Sequence, residues 1–293
     1  MAEPTEAART LCGRPVASDR ALVMSIVNRT PDSFFDKGAT FADEPALRRV
    51  DEAASAGADI VDIGGVKAGP GETVDAAEEI RRVVPFIEAV HERHPGLLIS
   101  VDTWRSEVAA PAIEAGAAII NDTWAGYDEN LVHTAAEGGA GFVCSHTGSA
   151  EPRTRPYRVG YEDVVAAVRE ELASGAERAL AAGIAADAVI VDPTHDFGKN
   201  TYHGLELLRD LSPLVELGFP VLMALSNKDF IGETLDADVD NRGEGTLAAS
   251  AVALWQGARI LRCHDIVGTR RIVDMVASIQ GTRPPARVVR GLA

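Results

Sequence analysis

The stretch Leu98-Ile-Ser-Val-Asp-Thr103 is a mostly apolar, strand-like run that closes on a polar pair. A helical pattern over Ser106–Ala115 follows it, and Ala115-Gly-Ala117 marks the turn into a second apolar run, Ala118–Ile120, which closes on Asn121-Asp122. An apolar strand, a crossover helix and a second apolar strand form the repeating unit of a parallel sheet. Reading outward, strands are expected at Leu22–Val27, Asp59–Ile63, Leu98–Val101, Ala118–Ile120, Gly141–Cys144, Ala188–Val191, Val221–Leu225 and Arg259–Leu261. Helical patterns fall at Glu44–Ala56, Ser106–Ala115, Glu129–Glu137, Tyr161–Ala182, Tyr202–Leu217, Glu244–Gln256 and Thr269–Gln280. Strands that are apolar throughout and alternate with helices indicate a sheet covered on its outer side. Eight units can be counted, and the first strand lacks a G-x-G-x-x-G turn. The expected fold is therefore a single-domain (β/α)8 TIM barrel rather than an open Rossmann sheet.

A complete barrel of this kind takes roughly 250 residues, so a chain of 293 suits one domain. It is expected at 20–283, between an N-terminal tail, 1–19, and a C-terminal tail, 284–293. The 28 basic and 44 acidic residues leave a formal net charge of −16, which argues against a nucleic-acid surface because phosphate backbones need a concentrated positive field. A small anion remains compatible, since a few cations focused in a cleft outweigh a distant net charge. Met1 to Thr10 lack the apolar centre of a signal peptide, and no apolar stretch approaches the roughly 20 residues that span a bilayer. Cys12, Cys144 and Cys263 are odd in number and widely spaced, which indicates neither a disulfide framework nor a zinc motif. A cytoplasmic protein without membrane association is expected.

In a closed parallel barrel the carboxyl ends of all strands face one mouth. Asn28, Asp102, Asn121, Asp192, Lys228, Arg262 and His264 all stand at such ends. Each alone also suits an N-cap or a rim hydrogen bond. Together, Asp, Asn, Asp and Lys supply the mixed donors and acceptors that suit a flat polar heterocycle, because a carboxylate can accept two adjacent N–H groups from such a ring. Arg262 can stack its guanidinium on a ring or hold an anion together with His264.

The segments Asn28-Arg-Thr-Pro-Asp-Ser-Phe34, Asp62-Ile-Gly-Gly65 with Gly69-Pro-Gly71, Ser100-Val-Asp-Thr103, Ile120-Asn-Asp122, Asp192-Pro193 with Phe197-Gly-Lys199, Ser226-Asn-Lys228 and Arg262-Cys-His-Asp265 resemble, in order, the signature of the dihydropteroate synthase family. The resemblance runs from about Val23 to the final helix. It implies a TIM barrel that binds a pterin in its mouth and joins dihydropterin pyrophosphate to p-aminobenzoate, releasing pyrophosphate with the help of Mg2+. Carried over, Asp102, Asn121, Asp192 and Lys228 would hold the pterin, and Arg262 would stack on it. Arg262, His264 and Lys228 would be the catalytic groups. Asn28 would sit at the metal and pyrophosphate site, with Ser226, Lys67, Arg262 and His264 on the side of the pyrophosphate and second substrate. Asp32, Ser33 and Phe34 would lie on a first mobile loop. The family's dimer interface uses its later helices, so a homodimer is implied.

The chain also departs from the family pattern. Where the second loop usually reads Glu-Ser-Thr-Arg-Pro-Gly, Val66-Lys-Ala-Gly-Pro-Gly71 stands here, and the usual Ser-Arg-Lys is Ser226-Asn-Lys228. The Asp-Pro-Gly-x-Gly-Phe-Gly-Lys segment reads Asp192-Pro-Thr-His-Asp-Phe-Gly-Lys199, which places Thr194 and Asp196 at glycine positions. Pyrophosphate departure develops negative charge that positioned cations stabilise, and one lost contact costs several kcal/mol of barrier. The changes gather on the leaving-group side, as expected of a diverged second paralogue of the actinobacterial kind with weak or lost condensation. Two alternatives stand beside it. One is an active synthase in which Lys67, Arg29 and Arg153 or Arg155 substitute for the missing cations. The other is a non-catalytic barrel that binds a pterin or a partner. His146, His195 and Asp196 have no metal-ligand spacing.

Overall fold

The structure is a computed structural model that describes residues 9–30, 42–154 and 160–291. Eight parallel strands form its centre: β1 (Leu22–Asn28), β2 (Ile60–Gly64), β3 (Leu98–Asp102), β4 (Ile119–Asn121), β5 (Gly141–Ser145), β6 (Val189–Asp192), β7 (Leu222–Met223) and β8 (Ile260–Cys263). Neighbours pair in sequence order from β1 to β6, and β8 lies between β1 and β7. A parallel bridge between Val191 and Val221 joins the two edges, with the Val191 amide on Pro220 O at 3.1 Å. The sheet is thus the (β/α)8 TIM barrel.

Register positions the site. Asn28 pairs with Gly64, Gly64 with Asp102, and Asp102 with Asn121, so the last residues of four strands stand side by side at one rim. Ser145 pairs with Asp192 at the same level further round. Strand β7 is shorter than Val221–Leu225, because only Leu222 and Met223 keep ladder pairing to β8.

The helices α1 (Asp43–Ser55), α3 (Ser106–Glu114), α4 (Leu131–Glu137), α5 (Val164–Ala182), α9 (Gly243–Trp255) and α10 (Ile266–Gln280) match the sequence pattern with shifts at their ends. Those shifts have local causes. Asp163 accepts the Ala166 amide and Asp265 the Gly268 amide, so each acts as an N-cap and fixes the first helical residue as Val164 and Ile266. The pattern at Tyr202–Leu217 splits into α6 (Thr201–Arg209) and α7 (Ser212–Val215). Pro213 has no amide to bond back across the junction, and the Asp210 carboxylate accepts from the Ser212 hydroxyl at 2.5 Å instead. Two helices go beyond the sequence reading: α2 (Ala76–Arg93), which starts on the Asp75 N-cap, and the short α8 (Asp229–Leu235).

One apolar layer lies between the strands and the surrounding helices, and a second fills the barrel below the mouth. Part of the expected N-terminal tail belongs to that second layer. Thr10–Leu11 and Arg14–Pro15 pair as an antiparallel hairpin, and Leu11, 2% exposed, packs with Met24, Ile60, Ile119, Ile190 and Ile260 inside the barrel. Asp187 holds the hairpin: its carboxylate accepts the Thr10 hydroxyl at 2.7 Å and the Gly13 amide at 3.1 Å. Leu11→Ala should therefore cost about 2–5 kcal/mol of stability, as for other large-to-small changes in packed interiors. Urea denaturation of the full chain measures this, and a loss under about 0.5 kcal/mol, the size of a neutral surface change, would contradict the plug.

Candidate functional site

A cavity of about 490 Å3 opens at the carboxyl ends of the strands. Its floor is organised by Arg262 on β8, which reaches across to two carboxylates. The guanidinium donates from Nε to Asp62 at 2.6 Å and from Nη2 to Asp102 at 2.9 Å. Asp62 on β2 is fully buried. It also accepts the Ser100 hydroxyl at 2.6 Å and the Asn121 carboxamide at 3.2 and 3.3 Å. A buried carboxylate with this many donors is satisfied, and without them it would be strongly destabilising. Asp102 takes a further bond from the Thr123 hydroxyl at 2.9 Å. Burial raises the Asp102 pKa well above the usual carboxylate range, and the Arg262 charge opposes that rise. Burial would lower Arg262, but Asp62 and Asp102 hold it firmly charged.

Asn28, Lys67, Asp102, Ser226, Lys228, Arg262 and His264 all border the cavity. The wall does not include Asn121 or Asp192. Asn121 is buried and turned to Asp62. Asp192 is buried, its carboxylate takes the Thr194 amide at 2.7 Å, and burial pushes its pKa up to about 6. His264 and Ser226 form a pair at 2.9 Å, and the same hydroxyl accepts the His264 amide at 3.3 Å. Burial and the Arg262, Lys228 and Arg49 charges lower His264 to about 3, so it is a neutral hydrogen-bonding group at neutral pH.

The loop after β6 carries Thr194 and Asp196 at the two positions where the family pattern has glycine. Thr194 keeps a left-handed backbone, φ +48°, where glycine is at ease. It holds itself there by two bonds to Asp192, amide to carboxylate and hydroxyl to carbonyl. Beneath the loop, the Lys199 ammonium donates to His146 Nδ1 at 2.7 Å and to the carbonyls of His146, Thr194 and Phe197. Above it, Asp196 forms an ion pair with Lys228 at 2.7 Å. His195 is buried against Phe230, and neither ring nitrogen meets a hydrogen-bond partner. Burial and the Lys199 and Lys228 charges lower it to about 3.

The substitute cations are placed unevenly. Lys67 lines the cavity. Arg29 does not: it is buried against the Phe86 ring at 4.6 Å and bound to Asp43 and to Arg82 O. Arg153 braces the loop after β2 through Gly69 O at 3.4 Å and Glu72 O at 2.6 Å. Asn227 is also left-handed, φ +56°, and its amide is bound to the Thr246 hydroxyl on α9. Asp32, Ser33, Phe34 and Arg155 lie outside the described residues. The His146, His195 and Asp196 set does not form a metal cluster, and no group of three such ligands occurs among the described residues.

Asp62, Thr123 and the Asp196–Lys228 pair are site features that the strand-end reading missed. For Asp62 a signal existed: it is the one charged residue inside the otherwise apolar strand Ile60-Val-Asp-Ile-Gly64. For the others, only the folded loops bring the partners together.

The Asp, Arg, Lys and His groups thus meet at the mouth of a parallel barrel. The chain belongs to the family described as pterin binding enzyme, matched over residues 24–264. It is 61% identical to the inactive dihydropteroate synthase 2 of Mycobacterium tuberculosis (strain H37Rv) over 288 residues, covering 97% of this chain and 91% of that protein. It is 36% identical to the dihydropteroate synthase of Streptococcus pyogenes over 271 residues, covering 91% and 98%. Among solved structures, the Xanthomonas albilineans dihydropteroate synthase with 4-aminobenzoic acid superposes with a TM-score of 0.82 at 38% identity, covering 92% of this chain and 96% of that one. The chain is a diverged dihydropteroate synthase homologue. No helix among the described residues is long and apolar enough to cross a membrane.

The buried His195 gives the site a pH signature. A histidine whose folded pKa is depressed contributes stability that is present above about 6.5 and is lost as pH falls toward about 3. Between pH 7 and pH 5, His195→Phe should reduce the loss of unfolding free energy by about 2 kcal/mol relative to the wild type. Denaturant titrations at the two pH values read the difference, and equal losses in both proteins would refute it.

Proposed function

We propose that this barrel is a dihydropteroate synthase homologue that keeps a heterocycle-binding floor and has weak or lost condensation of dihydropterin pyrophosphate with p-aminobenzoate. The observation that carries this reading is the state of the cations. Ala68 and Gly69 bring no charge to the second loop, and Asn227 is buried and held by α9. Arg29 is engaged away from the cavity wall, and Arg153 is bound to the Gly69 and Glu72 carbonyls, which weighs against an active synthase using them as substitutes. Loss of even one preorganised contact to a departing anion slows a reaction by about 100-fold or more.

The ligand is a pterin, held between Asp102, Lys228 and Arg262, with Asn121 and Asp192 behind the wall supporting Asp62 and the Thr194 loop. A p-aminobenzoate-like second ligand would enter on the side of Ser226 and Lys67. The relative from M. tuberculosis is named inactive, and a Coxiella burnetii dihydropteroate synthase structure contains pteroic acid, which supports both halves of the reading. For Mg2+, Asn28 offers one neutral amide oxygen. Mg2+ usually takes one or two carboxylates together with substrate phosphates, so this donor set fits an ion carried in by pyrophosphate and not a resident one. Such an ion would neutralise phosphate charge, while Asn28 orients it.

Turnover assays on the full chain should show condensation at least about 100-fold below an authentic synthase. Gly69→Arg combined with Asn227→Arg should raise it more than either change alone, because both side chains would face the same anion. Asn227→Arg by itself should cost about 1–2 kcal/mol of stability in its left-handed position. Rescue of a strain lacking its own dihydropteroate synthase by the unmodified chain would overturn the proposal.

A homodimer through α9 and α10 completes the reading. Val252 and Trp255 on α9 and Met275 and Ile279 on α10 are large, apolar and exposed on two helices that pack together. Trp255→Asp should convert a dimer to monomer in size-exclusion chromatography with light scattering, and a monomeric wild type would remove the interface. We place the protein in the cytoplasm, where Cys12, Cys144 and Cys263 would stay as the free thiols they are.

A further inference from the structure

Charge in the cavity is balanced inside the cavity. Lys67, Lys199, Lys228 and Arg262 line it, and so do Asp102, Asp196, Asp229 and Glu233. Arg262 is bound to Asp62 and Asp102, Lys228 to Asp196, and Lys199 to three carbonyls and His146. Lys67 also has a partner. Asp62 and Arg242, just behind the wall, pair with Arg262 and Asp229 respectively, so the charges among the described residues are already matched. His195 and His264 are neutral and add no charge.

An entering phosphate would have to draw a cation away from its carboxylate, or give up its water beside Asp196, Asp229 and Glu233. Asp229 is held by Arg242 at 2.8 Å and Glu233 accepts from Thr201. An uncharged ring meets no such conflict. The Lys228 ammonium has N–H groups beyond the one given to Asp196, and the carboxylate has further lone pairs. A ring edge that presents a carbonyl next to an N–H would satisfy both partners at once. Phe197, set edge-on to Trp124 at 4.7 Å, and Phe230 supply apolar wall on that side.

We infer that the site selects an uncharged planar heterocycle, a pterin-like ring without phosphate, and that Asp196 is the residue that determines this specificity through its ion pair with Lys228. The inference rests on the heterocycle reading above and adds the ligand's charge to it. Asp196 is suited to the role because its loop is pinned on both sides. Thr194 is tied to Asp192, the Phe197 amide bonds to Thr194 O at 3.1 Å, and Lys199 holds Thr194 O and Phe197 O from below. The backbone that carries Asp196 is thus held beside Lys228.

Calorimetry on the full chain should compare 6-hydroxymethyl-7,8-dihydropterin with its pyrophosphate ester, at low and high salt. The wild type should bind the uncharged ring at least about tenfold more tightly than the ester, with little salt dependence for the ring. Asp196→Asn, which keeps shape and removes charge, should move the ratio toward the ester by about tenfold, and Asp196→Glu should keep the wild-type preference. A wild type that binds the ester as well as or better than the ring overturns the inference alone. An unchanged ratio in a folded Asp196→Asn protein, checked by circular dichroism, overturns the role of Asp196. Absence of binding by either ligand to the folded wild type overturns the heterocycle reading, and this inference with it.

Discussion

Arg262 holds two carboxylates that come from adjacent strands, and the rest of the barrel mouth is arranged around that contact. Strand β8 is a neighbour of β1, so the guanidinium crosses the barrel interior to reach Asp62 on β2 and Asp102 on β3. Asp62 is tied in turn to Ser100 and Asn121, which links four of the eight strands through one buried carboxylate. Removing one partner from such a cluster leaves a charge unpaired in a low-dielectric interior, at a cost of several kcal/mol. The arrangement is thus structural before it is functional.

This mutual constraint bears on how a synthase-like outline persists in a diverged homologue. Asp102, Asn121 and Arg262 are constrained by each other whatever the cavity binds. Not every residue lining the cavity has a comparable tie to the core. Gly69 has an open neighbourhood, with Lys67 Cε at 3.8 Å from where a Cβ would sit, so a side chain there is neither required nor excluded by packing. Positions of this kind drift without penalty to the fold. A polar signature at the strand ends consequently reports the barrel's internal electrostatics more directly than it reports a reaction.

Much of the barrel was legible because its strands are apolar runs with polar ends, and strand ends in a parallel barrel share one face. Helix α2 was harder: Glu79 lies on its buried face among Val83, Phe86, Ile87 and Val90, and Pro85 interrupts its middle. Helix α8 is only seven residues long and follows a left-handed Asn227. The hairpin at Thr10–Pro15 carries a single strongly buried side chain, Leu11, and its polar contacts are distant in sequence: Asp187, and the Pro95 and Leu97 carbonyls that Arg14 reaches. At the site, side-chain direction escaped the sequence. Arg29 follows Asn28 directly, and alternation along the chain turns it behind the rim onto Phe86 while Asn28 faces the cavity. Whether Asp196 would repel a ligand or bind Lys228 depended on a loop whose path is set by Lys199 beneath it.

Thr194 still holds the backbone angle that suits the residue it stands in place of. A threonine in the left-handed region is strained by about 1–2 kcal/mol relative to an ordinary conformation, and two hydrogen bonds to Asp192 offset part of that. The loop therefore carries a β-branched side chain at a backbone angle that glycine adopts freely. Replacing Thr194 by glycine would release that strain and still leave the Lys199 bonds to the Thr194 and Phe197 carbonyls in place, so this turn can exchange its side chain without losing the ties that hold its backbone.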